Sequence, residues 1–141
     1  AEGFGGYRFF PDGSSAIALT GSLGYQSQNF VIPSFGSDVS GKKYTGVVIR
    51  VDGEMIFMPK HKLSAGFGFQ PFSSLVDSGP APGAPDGGTV IGFHLGWNYQ
   101  FSPLFWAKLG IQFDTASGNY TNGANVNNKR FAIGPGISYS F

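Results

Sequence analysis

Apolar and small polar residues alternate at every second position along most of the chain. A period of two places successive side chains on opposite sides of a β-strand, whereas a helix would need a period near 3.6. The alternation therefore predicts an all-β protein. Its clearest example is the segment 89–101, with Ile91, Phe93, Leu95, Trp97, Tyr99 and Phe101 on one side and Gly92, His94, Gly96, Asn98 and Gln100 on the other.

The same pattern divides the 141 residues into seven predicted strands within a single domain, 1–141. Connections rich in Gly, Pro and Asn at 36–42, 77–88 and 116–128 are predicted to be long, exposed loops. They alternate with short turns at Pro59–His61 and Ser102-Pro103. The predicted strands are roughly 3–10, 14–26, 43–58, 62–76, 88–101, 104–115 and 129–141.

The polar side of these strands is made mostly of Gly, Ser, Ala, Asn and Gln, not of the Lys, Glu and Thr typical of a water-facing sheet. Only 12% of the residues are charged, against about 25% in an ordinary soluble domain. Both features favour an apolar side that faces lipid. No run approaches the roughly 18 apolar residues of a membrane helix, so we expect a closed antiparallel transmembrane β-barrel, in which every backbone group is paired. The alternative is a soluble barrel or sandwich whose aromatic residues fill a core.

Seven strands are visible, but bacterial single-chain barrels have an even number. An eighth strand is predicted at Asn29–Phe35, after a turn at 26–29. A hairpin at Asp52-Gly53, or a strand outside this sequence, would also restore an even count. We prefer the first, because an unbroken strand over 44–58 keeps the charges of Arg50, Asp52 and Glu54 on one face.

The ending Gly136-Ile137-Ser138-Tyr139-Ser140-Phe141 resembles the C-terminal assembly signal of bacterial outer-membrane proteins. With its strand spacing and loop asymmetry, the chain resembles the small OmpA/OmpX/OmpW type of barrel. That resemblance implies eight strands, short periplasmic turns, longer extracellular loops and a bacterial outer-membrane location. It also implies contact with outer-membrane lipid and lipopolysaccharide, and recognition of Ile137, Tyr139 and Phe141 by the barrel-assembly machinery.

The inward side of such a barrel would carry the charged residues. An eight-stranded interior is just wide enough to be filled by side chains, and buried charges must be paired. We expect a structural plug of paired charges; a gate that opens when pairs exchange is the alternative. The expected charge network is Arg50, Asp52, Glu54, Lys108 and Asp114, with Arg8 as a further member, and the expected lumen polar residues are His94, Asn98, Gln100 and Gln112.

These features favour a non-enzymatic protein with a structural or surface role. A small-solute channel is the main alternative, and a lipid A-modifying enzyme is less favoured because no serine follows His94 by two residues. A net charge of +1 disfavours nucleic acid, and no cofactor or metal is expected. The aromatic exterior leaves self-association open.

Overall fold

In a computed structural model of the chain, residues 2–11, 13, 16–32, 40–77 and 83–139 are described. They form one antiparallel sheet in which each strand pairs with the next along the chain. This confirms the all-β prediction and the seven strands. Their bounds are Glu2–Phe9 (β1), Ile17–Ile32 (β2), Ser40–Met58 (β3), His61–Asp77 (β4), Pro85–Ser102 (β5), Phe105–Tyr120 (β6) and Asn125–Tyr139 (β7).

The strand predicted at Asn29–Phe35 is wrong for the residues that are described. β2 continues without a turn to Ile32 and pairs with β3 as far as Ser40, with Gln28 opposite Tyr44. Residues 33–35 lie outside the described part. β3 is also unbroken at Asp52-Gly53, as the grouping of its charges predicted.

The predicted loop at 116–128 is wrong for most of its length. β6 and β7 pair as far as Asn119 opposite Asn125, and only the four residues 121–124 separate the two strands; among them Gly123 has a φ of +81°. The amide of Asn125 donates to Asn119 Oδ1 at 2.7 Å. β5 likewise begins at Pro85, inside the predicted 77–88 loop, of which 78–82 are not described.

Two features explain these errors: Gly, Pro and Asn near the strand ends indicated loops, and the polarity pattern inverts towards the long connections. Near the short turns the outward residues are apolar, for example Leu63 and Leu95. Towards the long connections the inward residues become apolar and buried, such as Phe30 and Leu75. Outward residues there are polar, such as Asn119. A change of pattern that resembles a strand end is therefore a change of environment along an unbroken strand.

The sheet is not closed into a barrel, because β1 and β7 are not paired with each other. It curls strongly, however. On its inner side the Asn128 amide of β7 donates to the Tyr44 hydroxyl of β3 at 2.9 Å. The Arg130 guanidinium of β7 lies 5.7 Å from the ring centroid of Phe30 on β2. In the described residues there is no helix long and apolar enough to cross a membrane.

The two faces of the curled sheet differ in composition and exposure. The outer face carries exposed apolar side chains from all seven strands, including Tyr7 and Phe9 of β1. The inner face carries the charged and amide side chains described below. Pro135 lies in β7, which has one paired neighbour, and an edge strand tolerates the missing amide hydrogen.

Candidate functional site

The inner face is organised in three layers along the strands, and the first layer is an apolar cluster near the long connections. The rings of Phe30 and Tyr44 meet edge to face with centroids 5.5 Å apart. Such aromatic contacts add to the stability gained by burial. The buried members of this apolar cluster are Phe30, Tyr44, Leu75, Val90, Ala116 and Tyr120.

A buried ion pair adjoins the apolar cluster. Lys42 Nζ lies 2.8 Å from Asp77 Oδ2, and the Tyr120 hydroxyl donates to the same oxygen at 2.6 Å. Burial first, and then the Asp77 carboxylate, raise the pKa of Tyr120 to about 12. This end of β6 lies beyond the apolar outer residues, since its last outward residue is Asn119. This group was not predicted from the sequence, because Lys42 and Asp77 fall within the predicted loops 36–42 and 77–88.

The middle layer holds two acid–base contacts. Arg130 binds Asp114 through Nε and a terminal nitrogen, at 2.8 and 2.6 Å, and the Gln112 amide donates to the same carboxylate at 3.0 Å. His94 Nε2 lies 3.3 Å from Asp52 Oδ1. Two inward glycines make these contacts possible: a Cβ on Gly66 would overlap both Asp52 and His94, and a Cβ on Gly92 would overlap Asp114.

The third layer lies near the short turns and is open. Glu54 is paired with both Arg8, at 2.5 Å, and Lys62, at 2.9 Å. Beside this group is a cavity of about 920 Å³. Its polar lining includes Glu54, Lys62, His94, Asn98, Lys108 and Gln112.

The predicted inner residues are therefore on one face but do not form a single network. Asp52, Glu54 and Asp114 each meet a basic side chain, yet none of these partners is Arg50 or Lys108. The guanidinium of Arg50 lies over the Phe4 ring, 4.6 Å from its centroid. Lys108 has no ion pair within the described residues and borders the cavity.

Of the predicted lumen polar residues, His94 meets Asp52, and Asn98 and Gln112 border the cavity. Gln100 instead donates to the Pro103 carbonyl at 3.0 Å, next to the β5–β6 turn. The basic partners Lys62 and Arg130 were not predicted. Lys62 lies two residues from the inward Ser64, and Arg130 lies two residues from the inward Ala132. The alternation alone would therefore have placed both basic residues on the inner face.

Among the described residues, His94 does not complete a catalytic set with a serine. Ser64 also borders the cavity, but no hydrogen bond joins it to His94 among the described residues. An activated serine needs a base within about 2.6–3.2 Å. Within the described ranges no three His, Cys, Asp or Glu side chains are placed to hold a metal ion.

On the outer face, aromatic side chains gather near the short turns. The Trp97 indole N–H donates to His61 Nδ1 at 3.2 Å, and the His61 ring contacts Tyr99 with centroids 4.9 Å apart. Phe105 contacts Tyr139 across the β6–β7 pair at 5.1 Å. Ile137 is exposed on the same face as Tyr139, whereas Phe141 lies outside the described residues.

A scan against protein-family models found no match, and neither the curated proteins nor the solved structures that were searched include a match to this chain.

Proposed function

We propose that this chain is a transmembrane β-barrel of a bacterial outer membrane, with a closed polar interior and a structural or surface role. The observation that carries the proposal is the separation of its two faces. Exposed apolar side chains cover the outer face of all seven strands, while four ion pairs and the contact of His94 with Asp52 lie on the inner face of the described residues. Soluble monomers rarely expose apolar patches larger than a few hundred Å².

A membrane location requires the two free edges to be paired, because unpaired backbone groups are costly in hydrocarbon. We infer that the barrel closes between β1 and β7, directly or through an eighth strand. The contacts of Asn128 with Tyr44 and of Arg130 with Phe30 support this closure. They draw the inner side of β7 towards β2 and β3.

The experiment is to refold the purified chain with and without detergent micelles or lipid vesicles. We expect β-structure by circular dichroism and a monodisperse protein only with the amphiphile. Migration on a denaturing gel should then change on heating. A folded, soluble monomer in plain buffer would overturn the proposal. Lipopolysaccharide and the barrel-assembly machinery remain the proposed partners of such a protein.

A small-solute channel is the second candidate, favoured by the cavity of about 920 Å³ near the short turns. The apolar cluster at the other end of the interior argues against a continuous path. Recordings from planar bilayers distinguish the two. We expect no unitary conductance from the wild type, and a steady conductance would favour the channel.

A further inference from the structure

An apolar groove of about 490 Å³ lies on the outer face, on the opposite side of the sheet from the ion pairs. Its floor is formed by Gly53 and Ala65, which are directly paired across β3 and β4. Leu19 on β2 and Leu95 on β5 are registered with these two small residues and border the floor on either side. The groove exists because two adjacent strands carry small side chains in a row of leucines.

The same groove extends towards the β3–β4 turn. The next outward row contains Leu63, and Trp97 opposite it, both of which line the groove. Beyond Leu63 the hairpin ends within three residues in the turn Pro59-Lys60. At a rise of about 3.3 Å per residue, the turn lies roughly 10 Å from Leu63.

Lys60 lies in this turn, beyond the residues that line the groove. It is exposed and has no ion pair among the described residues, whereas the neighbouring Lys62 is bound to Glu54. Its backbone φ is +73°, in the left-handed region that favours glycine. The Lys60 carbonyl accepts a hydrogen bond from the Gln100 amide at 2.8 Å, which fixes the turn against β5. A lysine at a position that suits glycine costs backbone strain, and such strain is often retained where the side chain has a function.

We propose that this groove binds an acyl chain of an anionic phospholipid whose phosphate pairs with Lys60. This rests on the proposed membrane function and adds a specific lipid site to it. The lining is apolar and suits a hydrocarbon chain, and the cation at the turn suits a phosphate at the membrane surface. A second copy fits less well. A two-fold axis along the membrane normal would bring both copies of Lys60 to the same end of the interface, where they repel.

Trp97 provides the measurement, because it lines the groove while the other tryptophan, Trp106, borders the inner cavity. The protein carrying Trp106→Phe is reconstituted in phosphatidylcholine vesicles with a small fraction of brominated phosphatidylglycerol or brominated phosphatidylcholine. Quenching of Trp97 fluorescence then reports which lipid occupies the groove. We expect half-maximal quenching at an about fivefold lower fraction of the anionic lipid, the effect of one lysine near a membrane surface.

Three variants locate the site. Lys60→Gln should remove the preference for the anionic lipid. Gly53→Leu should fill the floor and reduce quenching at low lipid fractions, and the backbone tolerates it, because a Cβ there meets its nearest neighbour at 3.5 Å. Gly21→Leu is the matched control: it adds the same bulk to the outer face of β2, where a Cβ has no neighbour within 4 Å. Circular dichroism verifies that each variant folds.

Each other outcome overturns the groove site in a distinguishable way. Equal quenching by both lipids, unchanged by Gly53→Leu, would leave the membrane proposal intact but show only bulk lipid at Trp97. Shielding of Trp97 that grows with the protein-to-lipid ratio would identify a second copy as the occupant. The absence of quenching at every ratio would place Trp97 outside hydrocarbon and would defeat the membrane proposal as well.

Discussion

Asp114 is buried, with 2% of its surface exposed, and its charge is balanced by the two-point contact with Arg130. Removing one partner of a fully buried pair typically costs about 3–5 kcal/mol, because the other charge remains desolvated. The Arg130 side chain is 39% exposed and Gln112 also binds the carboxylate, so the cost is smaller here.

We therefore expect Arg130→Met to lower the free energy of unfolding by about 2 kcal/mol, measured by urea titration in detergent micelles. Lys108→Met is the matched control and should change it by less than about 0.5 kcal/mol, because Lys108 has no ion pair in the described structure. Equal losses in the two variants would contradict the pairing seen on the inner face.

The Asp52 and His94 side chains contact each other directly above the backbone of Gly66. An added methyl group must displace one of them, and overpacking of this kind costs about 1–3 kcal/mol. We expect Gly66→Ala to destabilise the protein by this amount in the same urea titration. Gly134→Ala, also on the inner face but with no neighbour within 4 Å of its Cβ, should be nearly neutral.

A substitution at Lys60 should change the folding stability in the opposite direction. Replacing it by glycine relieves the left-handed backbone and should stabilise the folded state by about 1 kcal/mol. The same urea titration would show a higher midpoint for Lys60→Gly. A lower midpoint would mean that the lysine side chain contributes more to folding than the backbone strain removes.

At the scale of the strands, all seven were predictable from alternation, because a strand with one apolar side reveals its period wherever the environment stays the same. Their ends were not. β2, β5, β6 and β7 all continue beyond the predicted limits, to Ile32, from Pro85, to Tyr120 and from Asn125. In β2 the exchange of polarity between the two sides was interpreted as a turn and a further strand, whereas the ends of β5, β6 and β7 were assigned to loops because they are rich in Gly, Pro and Asn.

The candidate site could be predicted only in part, because alternation fixes the face on which a residue lies but not its partner. Asp52, Glu54 and Asp114 were placed on the inner face by phase alone, but their partners depend on which strands are neighbours and in which register. Glu54 meets Lys62 because β3 and β4 form a hairpin, which makes this pair local. Lys42 and Asp77 lie 35 residues apart and are registered only when β3 and β4 pair along their whole length.

The buried hydroxyl at the end of β6 predicts a pH dependence. The pKa of Tyr120 is raised to about 12 in the folded state from an ordinary value near 10, so its contribution to stability is complete below about pH 10. That contribution is lost as the pH rises through about 12. Unfolding midpoints measured from pH 8 to 12 should fall less steeply in Tyr120→Phe than in the wild type. Identical slopes would contradict the burial of this hydroxyl against Asp77.

At the scale of the molecule, the apolar cluster separates the open cavity from the long connections. Replacing Tyr44 and Leu75 together with alanine removes the two cluster members contributed by β3 and β4. We expect this double variant to show unitary conductance in planar bilayers where the wild type shows none. The control is Val47→Ala with Val76→Ala, which removes exposed side chains from the outer face of the same strands. Conductance in both variants, or in neither, would show that the cluster does not seal the interior.

The length of the strands has a further consequence. β2 to β7 have 15 to 19 residues each, whereas about 9–11 residues per strand cross a bilayer. In the proposed orientation, a hydrogen-bonded β-collar with a polar exterior would stand above the lipid headgroups. An antibody raised against a free peptide of residues 116–128 would then bind the native protein poorly, because most of that epitope is locked into the β6–β7 ladder.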